Sequence, residues 1–68
     1  MNEEHFNLGV RKFLKRFGVT AQREMEKAVD EAIRAGKLRG SETLKARATL
    51  SIDGLPMHMT IDEDIPLA

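Results

Sequence analysis

The feature that most constrains the fold is a change in the spacing of apolar residues between Gly36 and Gly40. Before these glycines, apolar residues recur every three or four positions. After them, apolar and polar residues alternate. A period near 3.6 is typical of an α-helix, and a period of 2 is typical of a β-strand. The spacing therefore predicts an α+β fold in which helices come first and strands follow.

The helical part is predicted to contain two helices, over residues 3–17 and 21–35. Gly18 is expected to end the first helix in a left-handed conformation, and Thr20 is expected to cap the second. The apolar face of the first helix contains three phenylalanines, whereas that of the second is mainly alanine. Because bulky side chains pack well against small ones, we predict that these faces meet in a core.

The strand part is predicted to form an antiparallel β-hairpin with strands over residues 43–52 and 55–62. Asp53-Gly54 is typical of a two-residue type I′ turn, which pairs Ile52 with Leu55. Proline is confined to sheet edges and bulges, so Pro56 indicates that the second strand is an outer edge. Residues 62–68 form an acidic tail. The complete prediction is one domain over residues 1–68, with two helices packed on one face of the hairpin, in the order α-α-β-β.

The length of 68 residues predicts self-association. A chain this short buries only about 60% of the surface that its unfolded form exposes, so its stability is marginal. No cysteine is present to form a disulfide or a thiolate metal site, which makes a second subunit the expected source of stability. We expect a homodimer in which the first strand pairs with its own copy through the outward N–H groups of Lys45, Arg47, Thr49 and Ser51.

A basic stripe on the first helix is a candidate contact for an anion or an acidic partner. Its residues are Leu8, Arg11, Lys12, Lys15 and Arg16. The alternative is a solvated face whose cations are favoured by the helix dipole. The segment around Gly18-Val19-Thr20 invites comparison with a DNA-binding helix-turn-helix. However, the second helix is acidic, and the chain balances 11 basic with 11 acidic residues. The expected function is a small structural or protein-interaction module that acts as a homodimer. The alternative is a nucleic-acid-binding regulator that uses the basic stripe, although nucleic acid is not an expected partner.

No pattern in the sequence predicts catalysis, a cofactor or a metal site. His5 and His58 are the only histidines, and neither has ligand-type residues at suitable spacing. There is no glycine-rich phosphate loop before a helix and no nucleophile motif. No stretch approaches the ~20 apolar residues of a membrane span, and the start lacks an apolar run of signal length. We expect a cytoplasmic protein that is not an enzyme and has no membrane partner.

Taken together, the caps, the core positions and the turn resemble those of a family of short, uncharacterised proteobacterial proteins known only as a domain of unknown function. The resemblance implies a bacterial cytosolic protein without an assigned activity, and it transfers no catalytic or binding residue. The strand alternation and the turn Asp53-Gly54 fit the same family. The helical segments that carry the resemblance are Phe6, Arg11-Lys12-Phe13-Leu14-Lys15, Gly18-Val19-Thr20, Arg23-Glu24, Glu26-Lys27-Ala28-Val29 and Ala35-Gly36-Lys37-Leu38.

Overall fold

The structure is a computed structural model that describes all residues, 1–68, and contains one helix and two strands. Helix α1 spans Glu3–Arg34, strand β1 spans Thr43–Ile52 and strand β2 spans Met57–Pro66. The predicted α+β class is confirmed, but the prediction of two helices is wrong. The chain divides into two compact units, Met1–Lys37 and Leu38–Ala68.

Both ends of α1 are closed by capping interactions. Asn2 is the N-cap, and its side-chain oxygen accepts a hydrogen bond from the His5 N–H at 3.1 Å. At the other end, the Lys37 N–H donates to the Ala32 carbonyl and the Gly36 N–H donates to the Ile33 carbonyl. Gly36 has φ +76°, so these bonds form a Schellman motif around a left-handed glycine. The predicted stop at Gly36 is therefore present.

The predicted break at Gly18 is absent, and Gly18, Val19 and Thr20 lie inside α1. Gly18 does not have a positive φ, so it cannot act as a left-handed stop. The apolar spacing continues through this segment, because Ala21 follows Phe17 by four positions. A glycine costs a helix only about 1 kcal/mol relative to alanine, which does not end a helix supported on both sides. At 1.5 Å per residue, α1 is therefore about 48 Å long.

The hairpin has a four-residue loop, not the predicted two-residue turn. Ile52 pairs with Met57, which leaves residues 53–56 in the loop. The Leu55 N–H donates to the Ile52 carbonyl at 3.2 Å, and Gly54 has φ +82°. Asp53 does not have the positive φ that a type I′ turn needs. The longer loop also keeps Pro56 out of the strand ladder, to which proline cannot donate.

The strand register differs from the prediction by two residues and therefore keeps every side chain on its predicted face. Strand β1 has the predicted bounds. Strand β2 starts later than predicted and runs on to Pro66, so that residues 62–66 lie in a strand and not in a tail. Lys45 consequently lies opposite Asp64, and Arg47 lies opposite Asp62. Because Pro56 is in the loop, it does not mark β2 as an outer edge.

No side chain in the chain is buried, so the predicted core between two helices is not present. Large apolar side chains are exposed in both units. Phe13 on α1 is 56% exposed, and Ile61 on β2 is 50% exposed. Each unit thus has its secondary structure formed and its apolar face uncovered.

Candidate functional site

The first candidate surface is an apolar stripe along α1. Its members are separated by three or four residues, the spacing that places side chains on one face of a helix. Bulky residues form its first half and mainly small ones its second, while Leu14 and Val29 lie along one flank. The apolar stripe consists of Phe6, Val10, Phe13, Phe17, Ala21, Met25, Ala28 and Ala32.

A hollow of about 300 Å³ interrupts the stripe near the middle of α1, where bulky side chains give way to small ones. Phe13 and Phe17 form one side of it, and Ala21 forms the other, with Arg16 and Thr20 beside them. The two phenylalanine rings project further from the helix axis than the alanine methyl group does. This difference in size gives the helix surface a shape that a complementary side chain can fill.

Leu8, Arg11, Lys12 and Lys15 of the predicted basic stripe lie on the side of α1 away from the phenylalanines, whereas Arg16 lies at its border, beside Phe13 and Phe17 in the hollow. All five are exposed, and Leu8 is half-exposed among the cations. None of the four cations forms an ion pair, whereas Arg34 pairs with Asp30 at 3.1 Å. Because α1 continues through Gly18, the turn that a helix-turn-helix requires is absent.

The second candidate surface is the free edge of β1, whose outward groups follow from the hydrogen bonding of the ladder. The Leu67 N–H donates to the Glu42 carbonyl at 2.9 Å, and the register places these two residues opposite each other. Hydrogen-bonded and non-hydrogen-bonded pairs alternate along an antiparallel ladder. The N–H groups that point away from β2 therefore belong to the four residues predicted, Lys45, Arg47, Thr49 and Ser51, and also to Thr43. The sheet has only two strands, so no third strand pairs with this edge.

The side chains of these edge residues lie on the polar face of the hairpin. Arg47 Nε donates to Asp62 Oδ1 at 2.7 Å, and the hydroxyl oxygens of Thr49 and Thr60 are 3.3 Å apart. Ser51 lies opposite His58. The Arg47–Asp62 and Thr49–Thr60 pairs were missed by the sequence analysis, because a two-residue loop would have placed Thr60 opposite Arg47.

A third feature, also missed by the sequence analysis, is a tight turn before β1 that holds the Glu42 carboxylate. The carboxylate accepts hydrogen bonds from the N–H groups of Arg39 at 2.9 Å, Gly40 at 3.0 Å and Ser41 at 3.2 Å. These bonds, with that from Arg39 the largest contribution, lower the pKa of Glu42 below its ordinary value of 4.5. The only signal in the sequence is the preceding Gly40, which adopts φ +98°. Glu42 acts structurally, by fixing the entry into β1.

The potential metal-ligating side chains of the chain do not converge on one point. No group of three or more His, Cys, Asp or Glu residues is placed to hold a metal ion. No helix in the structure combines the length and the apolar character that crossing a membrane requires. The surfaces that remain for function are the apolar stripe, the basic face of α1 and the edge of β1.

Comparison with known proteins gives a family and no activity. The family model that matches is described as a family of unknown function, DUF6494, and it covers residues 1–68. No curated protein and no solved structure matches the chain. The match confirms the predicted resemblance to a family of unknown function. With its whole length covered by the family model, the chain belongs to DUF6494.

Proposed function

We propose that this protein is a non-catalytic interaction module that works as a homodimer, in which β1 pairs antiparallel with β1 of a second copy. The observation that carries the proposal is the absence of any buried side chain in a chain of 68 residues. A folded domain of this size needs apolar burial to offset the conformational entropy that folding removes. Since no disulfide supplies the missing stability, a second chain does.

The edge of β1 is the surface we assign to the dimer. An isolated two-stranded hairpin is marginally stable in water, and joining two hairpins makes a four-stranded sheet. The outward N–H groups of β1 find acceptors in the second copy, and the two-fold symmetry closes the assembly. Thr49 belongs to the outward set. A two-fold axis at Thr49 pairs Arg47 with Ser51 of the second copy, which keeps the two Arg47 side chains from facing each other.

Replacing Thr49 with proline tests this interface. The change removes one outward N–H of β1 and leaves the bonds to β2 in place, so we expect light scattering to give a mass close to one chain of 7.7 kDa. The wild type should give about twice that mass. Thr60→Pro is the matched control, because Thr60 lies opposite Thr49 and its N–H points away from β1.

Three results of this experiment decide the proposal. A dimer that survives Thr60→Pro and is lost in Thr49→Pro supports pairing through β1. Equal loss of the dimer in both variants contradicts assignment of the interface to the β1 edge. A wild type that remains monomeric at high micromolar concentration contradicts the homodimer itself.

A second candidate function is nucleic-acid binding through the basic face of α1. It is favoured by one observation, that four cations lie on one side of a continuous helix without an acidic partner. If the protein binds nucleic acid, its affinity for mixed DNA and RNA in a filter-binding assay should fall steeply from low to high salt, because phosphate contacts release counterions. No binding at low salt would remove this candidate. Either function is compatible with the cytoplasmic location that the family resemblance implies.

A further inference from the structure

We infer that α1 forms a second self-association surface, in which the apolar stripe pairs antiparallel with that of a second copy about a two-fold axis at Ala21. The inference rests on the proposed self-association and adds a second contact to the same dimer, so that loss of either contact favours the single chain. It starts from the continuity of α1, because two separate helices would not present one stripe. Three properties of the stripe support the antiparallel pairing: its size gradient, its flanks and its charges.

The size gradient favours the antiparallel orientation. The first half of the stripe is bulky and the second half is mainly small, so a parallel pair would place phenylalanine against phenylalanine and leave gaps between alanines. With an axis at Ala21, Phe13 lies within one residue of the level of Ala28 of the second copy, and Val10 lies level with Ala32. Large side chains then meet small ones along both halves of the contact. The same patch serves both copies, as a two-fold interface requires.

The middle of the stripe fits the same arrangement. Phe17 lies level with Met25 of the second copy, and Phe17 lines the hollow. Methionine has an unbranched, flexible side chain that fills irregular gaps. Ala21 meets its own counterpart at the axis, where a small residue lets the two helices approach closely.

The flanks of the stripe are also complementary. In an antiparallel helix pair, each flank of one helix faces the same flank of the other. Leu14 and Val29 share one flank and lie nearly level across the axis. Arg16 and Glu24 share the opposite flank and are offset by two residues, or roughly 3 Å along the axis. Neither Arg16 nor Glu24 forms an ion pair within the chain.

The overall charge of the two halves agrees with this pairing. All charged residues from Leu8 to Thr20 are basic, whereas residues 24–31 contain four acids and one lysine. An antiparallel pair brings the basic half of each helix level with the acidic half of the other. A parallel pair would bring the two basic segments together.

Charge-reversal variants test the flank contact. Arg16→Glu and Glu24→Arg should each weaken the dimer about tenfold in sedimentation equilibrium, because each change acts twice by symmetry. The double variant should recover most of the lost affinity. Lys12→Glu is the matched control: it makes the same charge change on the side of α1 away from the stripe, and its effect should be clearly smaller. Equal loss in Arg16→Glu and Lys12→Glu, or no recovery in the double variant, overturns the assigned contact.

Size-swap variants test the stripe. Ala28→Phe should weaken the dimer roughly a hundredfold, because it places a ring against Phe13 of the second copy at two symmetric sites. Adding Phe13→Ala should restore much of the affinity. Circular dichroism of each variant checks that α1 is still formed. If the double variant Ala28→Phe/Phe13→Ala keeps its helicity but does not regain association, the pairing of these two positions is overturned.

The orientation has its own measurement. The chain has no cysteine, so His5→Cys provides a single site for a spin label. In the antiparallel dimer, the two labels should be separated by about 48 Å along the helix axis. In a parallel dimer they would lie at the same level, separated mainly by the 8–10 Å between helix axes and by the label side chains. The short distance overturns the inference.

These results separate this inference from the proposed function. A dimeric wild type whose mass responds to Thr49→Pro but not to Arg16→Glu or Ala28→Phe overturns the helix pairing and leaves the β1 interface standing. A dimer that responds to the α1 variants and not to Thr49→Pro supports the helix pairing and contradicts the β1 interface. A monomeric wild type overturns both.

Discussion

The helical unit and the hairpin unit satisfy their backbone groups in different ways. Helix α1 forms its hydrogen bonds within itself and has both ends capped, by Asn2 and by the Schellman motif at Gly36. The hairpin satisfies only the groups that face across its ladder and leaves those of two edges pointing outward. The helix therefore offers a partner only side chains, whereas the hairpin also offers backbone. The same kind of substitution should therefore have different effects on stability in α1 and in the hairpin.

The largest effect is expected from Val19→Pro, which tests the continuity of α1. Proline in a helix interior removes a hydrogen bond and clashes with the preceding turn, at a cost of about 3 kcal/mol or more. We expect a large loss of helical signal in circular dichroism. The two-helix prediction placed Val19 in a connecting turn, where proline would cost little. Unchanged helicity would therefore show that α1 is interrupted near Val19, as the two-helix prediction required.

The next effect, about 1–2 kcal/mol, is expected from Gly54→Ala in the hairpin loop. Gly54 has φ +82°, a conformation that is unfavourable for a residue with a Cβ atom. The space around the added atom is open, so the loss comes from the backbone alone. Thermal unfolding should show a lower melting temperature. An unchanged melting temperature would mean that the loop relaxes to a different turn.

Replacing glycine with alanine should have the opposite effect on stability in α1. Gly18 lacks a positive φ, and a Cβ atom added there would have no neighbour within 4 Å outside its own turn of helix. Gly18→Ala should therefore stabilise the helix by about 0.5–1 kcal/mol, which thermal unfolding would detect as a higher melting temperature. A decrease would indicate that Gly18 ends a helix, as the two-helix prediction required.

The smallest effect is expected from Glu42, in the turn before β1. Because its pKa is lowered in the folded chain, its stabilising contribution is fully present above the ordinary value of 4.5 and is lost as the pH falls through the lowered pKa. Glu42→Gln should be slightly less stable than the wild type at pH 7 and should lose less stability on acidification. Glu63→Gln is the control, because Glu63 has no such bonds. Parallel pH profiles for wild type and Glu42→Gln would contradict the role assigned to this carboxylate.

Periodicity predicted which residues share a face but not where elements begin and end. Alternation placed β1 correctly, and an error of two residues in register kept both faces because the period of a strand is two. Local signals failed at Gly18, where glycine followed by Val19 and Thr20 has the composition of a helix stop and a new cap. The four-residue step from Phe17 to Ala21 carried the correct information. In the loop, Asp53-Gly54 predicted a two-residue turn, whereas Ile52 pairs with Met57 and leaves Pro56 outside the strand ladder.

The far edge of β2 limits how large an assembly of this chain can grow. Natural sheets avoid open-ended addition of strands by placing charges and prolines along exposed edges. The residues near the end of β2 include Asp62, Glu63 and Asp64, and the strand finishes at Pro66, which has no N–H to donate. Two such edges approaching each other bring carboxylates together. Sheet pairing through β1 would thus stop at a closed pair and not extend into a fibril.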